Sequence, residues 1–378
     1  MQSSHDVIVL GAGIIGACIA YETSKAGLKT LVIDRHPLGT GASGNSAAML
    51  ECQLDAHRGE PFLSLAKASD RLFPALHSEV KALTGIDFEL EKSGILQLAF
   101  SELEVSELNE ERKRQTAVGL SCEWLNAEAV RQQFPQLTAR ATGGLIYKND
   151  GQVDGKKFLE AMSEAAKKTG AEILVDPSPA KVSFNGSRRV SVRIGNQTLE
   201  GGWVVLACGA WTDQLLEPLG VKLGIEPVRG QLLVQKTEKR PLEIPVYTRS
   251  QGYIAPKKNG YALVGTTVEY VGFNSSVTPE ARRKLLAIAS DLLPVLKDCP
   301  VTGMTAGLRP KSADDLPFLG PVPGYQNLAV ASGHYRNGVL LAPITGKLIA
   351  SFLAGQKPPL NPAPFFPARL QGKFTAKR

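Results

Sequence analysis

Hydrophobic and polar positions follow two different rhythms along this chain. Towards both ends, short apolar runs of strand length are followed by helical patterns; the segments between them carry the alternation of antiparallel strands. Val7-Ile8-Val9-Leu10 is such an apolar run, and Gly11-Ala12-Gly13-Ile14-Ile15-Gly16 follows without a gap. Ile15 to Ala26 is helical in pattern, with Gly27 placed just past its end. Leu31-Val32-Ile33 reads as a second buried strand closed by Asp34, which completes a βαβ unit. Further on, the pattern predicts a helix over Lys156 to Lys168 and strands over Ala171 to Val175 and Trp203 to Ala207. The last of these runs into Cys208-Gly209-Ala210-Trp211 and a short helix. Leu328 to Ala331 is a further strand, and an apolar helix begins after Asn337-Gly338. These segments are expected to extend the first parallel sheet.

The middle of the chain differs. Gly230 to Lys236 and Gly252 to Val268 are strand-like, and Asn259-Gly260 predicts a two-residue hairpin turn. With those two residues as the loop, position 253 pairs with 266 and 251 with 268. Opposed residues share a face, so Gln251, Tyr253, Thr266 and Val268 are expected to project together. Thr278 to Leu296 reads as an amphipathic helix covering the other face. The tail from Gln356, rich in proline and lysine, is expected to lie over the surface.

Composition narrows the class. The 378 residues allow two or three domains, and 43% hydrophobic with 21% charged residues excludes wholesale disorder. No run reaches the roughly 18 apolar residues of a membrane span; Gly338 to Gly355 is broken by Pro343 and Lys347. The opening residues, Met1 to Asp6, are polar and give no signal peptide, so the expected location is the cytoplasm. Five scattered cysteines without a C-x-x-C pair argue against a disulfide framework and against a structural metal site. The net charge is +7, but the basic residues are dispersed and no nucleic-acid motif is present. Anionic small molecules are the partners this charge suggests.

The glycine motif carries the first chemistry. Gly11 permits the tight turn, Gly13 lets the backbone approach a pyrophosphate, and Gly16 brings helix and strand close. The helix start offers unpaired N–H groups to phosphate. Asp34, 23 residues after Gly11, is placed to accept ribose hydroxyls, and an acid there disfavours the 2′-phosphate of NADP. The motif alone does not separate FAD from NAD.

Further motifs do: Ser46-Ala47-Ala48-Met49-Leu50, Ala207-Cys208-Gly209-Ala210-Trp211, Pro227-Val228-Arg229-Gly230, Gly307-Leu308-Arg309-Pro310 and Gly333-His334-Tyr335-Arg336-Asn337-Gly338. With them the chain resembles the D-amino-acid oxidase family of flavoproteins, and within it the glycine oxidases, from His5 to about Phe352. The resemblance implies an α/β fold: an FAD-binding Rossmann-like domain of glutathione-reductase type, with an inserted substrate domain of antiparallel β-sheet plus helices. Residues 1–85, 150–225 and 305–378 would form the first, and 86–149 and 226–304 the second. It assigns to FAD Gly11, Gly13, Ile14, Ile15, Gly16, Asp34 and Arg35 around the ADP part. Ser43, Asn45, Ser46, Ala47, Ala48 and Met49 would line pyrophosphate and flavin, and Ala180, Ala207, Cys208, Gly209 and Trp211 would approach the cofactor. Asn337, Gly338, Val339 and Leu340 would meet the pyrimidine end of the ring, with Arg309 and Arg336 beside them. A helix starting near Gly338 would aim its positive end at a ring that gains negative charge on reduction. Sarcosine oxidases of this superfamily attach FAD through a cysteine shortly after the segment matching Gly307 to Pro310; Lys311-Ser312-Ala313-Asp314-Asp315 stands here, so FAD is expected to be non-covalent.

The same resemblance places Tyr253, Arg309 and Arg336 at the substrate. Arg309 lies in a small, apolar stretch and must be paired or bind something; its planar fork matches a carboxylate. From the residues alone, a salt bridge to an acid such as Asp315 is the better reading. His334 and Tyr335 read as packing or hydrogen-bonding residues. The pocket would include Met49, Glu51, Gln251 and Val268, and three of these depart from the family pattern. Glu51 stands where a small residue is expected, Gln251 replaces a histidine and Val268 replaces a methionine. Glu51 is expected to point to solvent; the alternative is that it charges the pocket mouth.

The activity implied is FAD-dependent oxidative deamination of a small amino acid: glycine, sarcosine or another N-substituted glycine, or a small D-amino acid. Hydride passes to flavin N5, with molecular oxygen as acceptor, giving an oxo acid, ammonia or an amine, and hydrogen peroxide. Two alternatives stay open: a D-amino-acid dehydrogenase delivering electrons to a quinone or other carrier, and a flavin-binding protein without turnover. Homo-oligomerisation is also left open.

Overall fold

The computed structural model describes residues 5–184, 190–249 and 252–370, so Gln251 lies outside the described residues. The strand β1 (His5–Leu10) sits near the centre of a six-stranded sheet, in parallel between β2 (Thr30–Asp34) and Gly201–Leu206. Glu172–Val175 and Leu328–Ser332 extend it in parallel, and Phe318–Pro321 adds an antiparallel edge. Both faces of the central strands are covered, which is why they read as unbroken apolar runs. On one face the helix α1 (Ile14–Lys25) packs with helices Gly155–Lys168 and Gly338–Leu353 in one apolar cluster, with Ile19, Ala20, Phe158, Ala165 and Leu348 among its members. The approach is close enough that a Cβ on Gly346 would stand 2.6 Å from the Cys18 carbonyl oxygen. The other face is covered by a small sheet, including Val182 and Val192, and by Leu216 and Leu219.

An eight-stranded sheet is built from the middle segments. Its order is Val301–Lys311, Glu226–Lys236, Tyr261–Gly265, Gly252–Pro256, Val246–Thr248, Ile95–Ala99, Gly143–Tyr147, Cys122–Asn126. All pairs are antiparallel except Val246–Thr248 with Ile95–Ala99. Strand Val301–Lys311 crosses the boundary expected at residue 305. The expected amphipathic helix covers one face of this sheet: Leu285, Ile288, Ala289 and Leu292 join Leu233, Ile254 and Val264 in one cluster. Thr278 caps it, its hydroxyl accepting from Ala281 N at 3.2 Å. The α-helix stops at Leu292 and a short 3-10 segment, Pro294–Asp298, follows. The residue before a proline is driven out of the α region, and Leu293 is extended at φ −137°, ψ 86°.

The hairpin departs from expectation by one residue. Tyr253 pairs with Gly265, not with Thr266. The loop has three residues, Lys258-Asn259-Gly260: Gly260 N donates to Lys257 O at 3.1 Å and Lys257 N donates to Tyr261 O at 2.7 Å. Gly260, at φ +76°, adopts the left-handed conformation of a turn closed by a one-residue bulge. Thr266 lies past the paired strand, and Val268, expected to project with Tyr253 into the pocket, is an exposed side chain outside the cavity wall. The tail docks on the edge strand: Phe365 is buried, and Arg369 pairs with Asp314 and lies over the Phe318 ring.

The tightest local fit is the glycine turn. A Cβ on Gly16 would sit 1.9 Å from the Gly11 carbonyl oxygen, and Gly11 holds φ +104° with Ala207 O directly beside it. Gly16→Ala should therefore destabilise the protein by about 1–3 kcal/mol or more. Urea unfolding would show a lower midpoint; an unchanged midpoint would mean that this approach is not held in solution.

Candidate active site

A cavity of about 710 Å³ opens at the carboxyl ends of the parallel strands, where ligands of open α/β sheets bind. Leu10, Asp34, Ala207 and Ser332 mark those strand ends in its wall. At this end Asp34 is held by two backbone donors: Ala12 N at 2.7 Å and His36 N at 3.0 Å. Ser43 Oγ accepts from Ile14 N at 3.0 Å and ties the following loop to the start of α1. Gly13, at the N-cap, has no side chain to occlude the helix start, and Gly13, Ile14 and Ile15 line the cavity. A positive helix end beside an oriented acid fits a nucleotide with its phosphates. The Cys208 thiol, also in this wall, bonds to Leu10 O at 3.1 Å, and burial pushes it well above the ordinary thiol range.

Of the expected cofactor residues, the cavity wall contains all but Gly16, Asn337 and Leu340. Gly16 packs behind Gly11. The Asn337 amide is spent elsewhere, donating to Asp55 Oδ2 at 2.9 Å and accepting from Arg58 Nη1 at 2.8 Å. Leu340 joins the core beside helix α1, because its position on the helix turns it toward packing. Gly338 and Val339, at the helix start, do line the cavity.

The eight-stranded sheet supplies the other end. Arg309 pairs across its strand with Val228, and its guanidinium donates to Thr267 O at 3.1 Å and Thr266 Oγ1 at 2.7 Å. Those bonds use two of its five donors. Asp315 does not pair with it; that carboxylate bridges Lys311 at 3.1 Å, and Arg309 has no ion-pair partner among the described residues. Space for the side chains comes from glycines: a Cβ on Gly230 would lie 2.0 Å from Arg309 Nη2, and one on Gly265 would lie 2.3 Å from Tyr253 Cζ. Burial pushes the Tyr253 hydroxyl up to about 12, against the pull of Arg309, so it stays protonated and able to donate.

Glu51 does not point to solvent. It is only 6% exposed and lines the cavity. Its Oε2 stands 3.9 Å from Arg336 Nη2. Burial, reinforced by Asp55, outweighs the attraction of Arg336 and Arg309 and raises the carboxyl to about 7. Arg336 itself is bonded to Asp55 Oδ1 at 2.6 Å. The neighbouring acids more than offset its burial and hold its charge. Arg58, stacked 3.6 Å over the Phe62 ring, closes the same cluster.

Asp55 and Arg58 were not anticipated. Their one sequence signal is the spacing of Glu51, Asp55 and Arg58 beyond the run Met49-Leu50. Lys257 was missed as well. Its buried ammonium, lowered by burial to about 8, donates to Ala47 O at 2.7 Å, Gln152 Oε1 at 2.8 Å and Val153 O at 2.9 Å. It ties the Ala47 wall of the cavity to the second sheet. His334 is buried, bonded to Thr345 Oγ1 at 3.0 Å and pushed down to about 3 by burial, a hydrogen-bonding residue rather than an acid or base.

Comparison with known proteins agrees with this architecture. The sequence pattern of the DAO family, FAD dependent oxidoreductases, matches residues 6–352. Glycine oxidase of Geobacillus kaustophilus is 32% identical over 374 residues, covering 99% of both chains. Hydrogen cyanide synthase subunit HcnC of Pseudomonas aeruginosa is 32% identical over 417 residues, covering 98% of this chain and 97% of that one. The crystal structure of glycine oxidase from Geobacillus kaustophilus superposes with a TM-score of 0.93 at 30% identity, covering 98% of this chain and 99% of that chain. The chain therefore belongs to the DAO family of FAD-dependent oxidoreductases. It is an FAD-dependent enzyme of the kind that acts on C–N bonds. Among the described residues no helix is long and apolar enough to cross a membrane.

Asp55 holds two guanidinium groups together at the cavity wall. Asp55→Ala would leave the half-buried Arg336 guanidinium and the buried Asn337 amide without this partner and should cost about 1–3 kcal/mol. Denaturant unfolding of the purified variant measures this, and a loss below about 1 kcal/mol would show the cluster to be solvated.

Proposed function

We propose that the protein oxidatively deaminates a small amino acid: glycine, sarcosine or another N-substituted glycine, or a small D-amino acid. The acceptor is molecular oxygen, and the products are an oxo acid, ammonia or an amine, and hydrogen peroxide. One observation carries the reading. The half-buried Arg309 guanidinium gives two donors to the protein, lines the cavity and has no carboxylate ion-pair partner among the described residues. A substrate carboxylate supplies the missing anion, with Tyr253 as an additional donor from the adjacent wall.

FAD, when bound along the wall described above, supplies the two-electron acceptor. The chain contributes position. Arg309 and Tyr253 fix one end of the substrate, which restricts the orientation of its α-carbon and replaces solvent around it. Non-covalent attachment of FAD is supported by Cys208, a protonated thiol engaged with Leu10 O near Asp34. The glycine oxidase relatives support the substrate class.

Flavin bleaching without oxygen, and peroxide formation with it, across glycine, sarcosine, D-alanine and D-proline tests the proposal. No bleaching with any of them would remove it, and bleaching without peroxide would assign the electrons to another carrier. Arg309→Ala should weaken substrate binding by about 2–5 kcal/mol, seen as a KM raised roughly 30-fold or more. An unchanged KM would make Arg309 structural.

A further inference from the structure

Resting on the amino-acid reading above, we propose that Glu51 takes the extra proton of the bound substrate's amino group and holds that end of the molecule while Arg309 holds the other. The site would then recognise a carboxylate and a basic nitrogen on one carbon, and would reject an additional anion beside the nitrogen.

Three observations lead there. Glu51 is a buried carboxyl in the same cavity wall as Arg309 and Tyr253, and no hydrogen bond reaches that carboxyl from the described residues. Its nearest cation, Arg336, already bonds Asp55 at 2.6 Å and stands 3.9 Å away from Glu51. A buried acid left without a donor is costly unless a ligand provides one. The residue is also fixed. Met49–Leu50 pairs with Gly151–Gln152, and the Glu51 carbonyl accepts from Asp55 N at 3.3 Å. The other acids of the wall, Asp34 and Asp176, belong to the glycine-turn end.

The ligand's chemistry completes the argument. With its carboxylate on Arg309, an α-amino acid presents an ammonium one carbon away, a group with donors only. Glu51 supplies an acceptor. One N–H bond breaks and one O–H bond forms; the nitrogen keeps its lone pair, and no electrons leave the pair of groups. The neutral amine is the form whose lone pair can assist C–H cleavage. Groups facing Glu51 set its proton affinity: burial, Asp55 and the neighbouring Asp150 oppose its charge, Arg336 and Arg309 favour it, and Tyr247 and Tyr253 complete the surroundings. The balance near 7 suits a base working at neutral pH.

Two measurements test this. The kcat/KM of the parent enzyme should rise with pH through about 7, as Glu51 ionises. In Glu51→Gln that limb should move up to the pKa of the substrate's own ammonium, with kcat/KM at pH 8 lowered about 100-fold or more and restored at higher pH. A Gln variant with the parent's limb would overturn the proposal. Binding is read separately, from the change in flavin absorbance with glycolate, which has the carboxylate but no amine. In the parent, glycolate should bind more weakly as pH rises through 7, because two anions then meet; in Glu51→Gln the affinity should be flat over that range. Parent binding that ignores pH would also overturn it, even if the variant does not fold. Failure of the whole substrate panel with the parent would instead sink the amino-acid reading.

Discussion

Holding the Arg309 guanidinium largely away from water, with no carboxylate ion-pair partner among the described residues, costs free energy that the rest of the molecule has to absorb. Two long strands, Val301–Lys311 and Glu226–Lys236, carry the residue to the cavity wall on an antiparallel ladder that is regular from Glu226 to Val234. Thr266 and Thr267 meet part of the fork, and Gly230 on the paired strand leaves the volume it occupies. The eight-stranded sheet and its covering helix bury enough apolar surface behind it to tolerate the charge. The charge then remains available to an anion that enters from the cavity.

The cavity exists because two sheets meet over it. The six-stranded sheet brings strand ends, a tight glycine turn and a helix start to one side; the eight-stranded sheet brings Arg309 and Tyr253 to the other. Lys257 joins the two, with its ammonium satisfied by three acceptors, two of them backbone carbonyls near the cavity wall. Such a saturated buried lysine fixes geometry and leaves no donor for a ligand.

A second charged group, Glu51, Asp55, Arg58 and Arg336, frames the same space. Its pairs are not equivalent. Asp55 takes close bonds from Arg336 and Asn337, whereas Glu51 is left at the edge with a carboxyl poised between charged and neutral. One acid therefore organises the wall while the other remains responsive to what enters.

The chain order alone determined the βαβ unit. Apolar runs, a helical period and glycines at fixed spacing act over a few residues, and Asp34 is held by Ala12 and His36 through bonds that follow from the same turn. The helix over Pro279–Leu292 was legible for the same reason, but its end was not: the apolar period runs on to Leu296, whereas Pro294 stops the α-helix at Leu292. The hairpin register was not: Gly260 in a left-handed conformation adds a loop residue, and nothing in Asn259-Gly260 distinguishes the two lengths. The charged cluster was still less legible, since Arg336 meets Asp55 across 281 residues and Arg58 meets Asn337 across 279. An isolated glutamate is best solvated, so its sequence neighbours point Glu51 outward; only strands and helices arriving from distant parts of the chain could wall it off from water and set two arginines beside it.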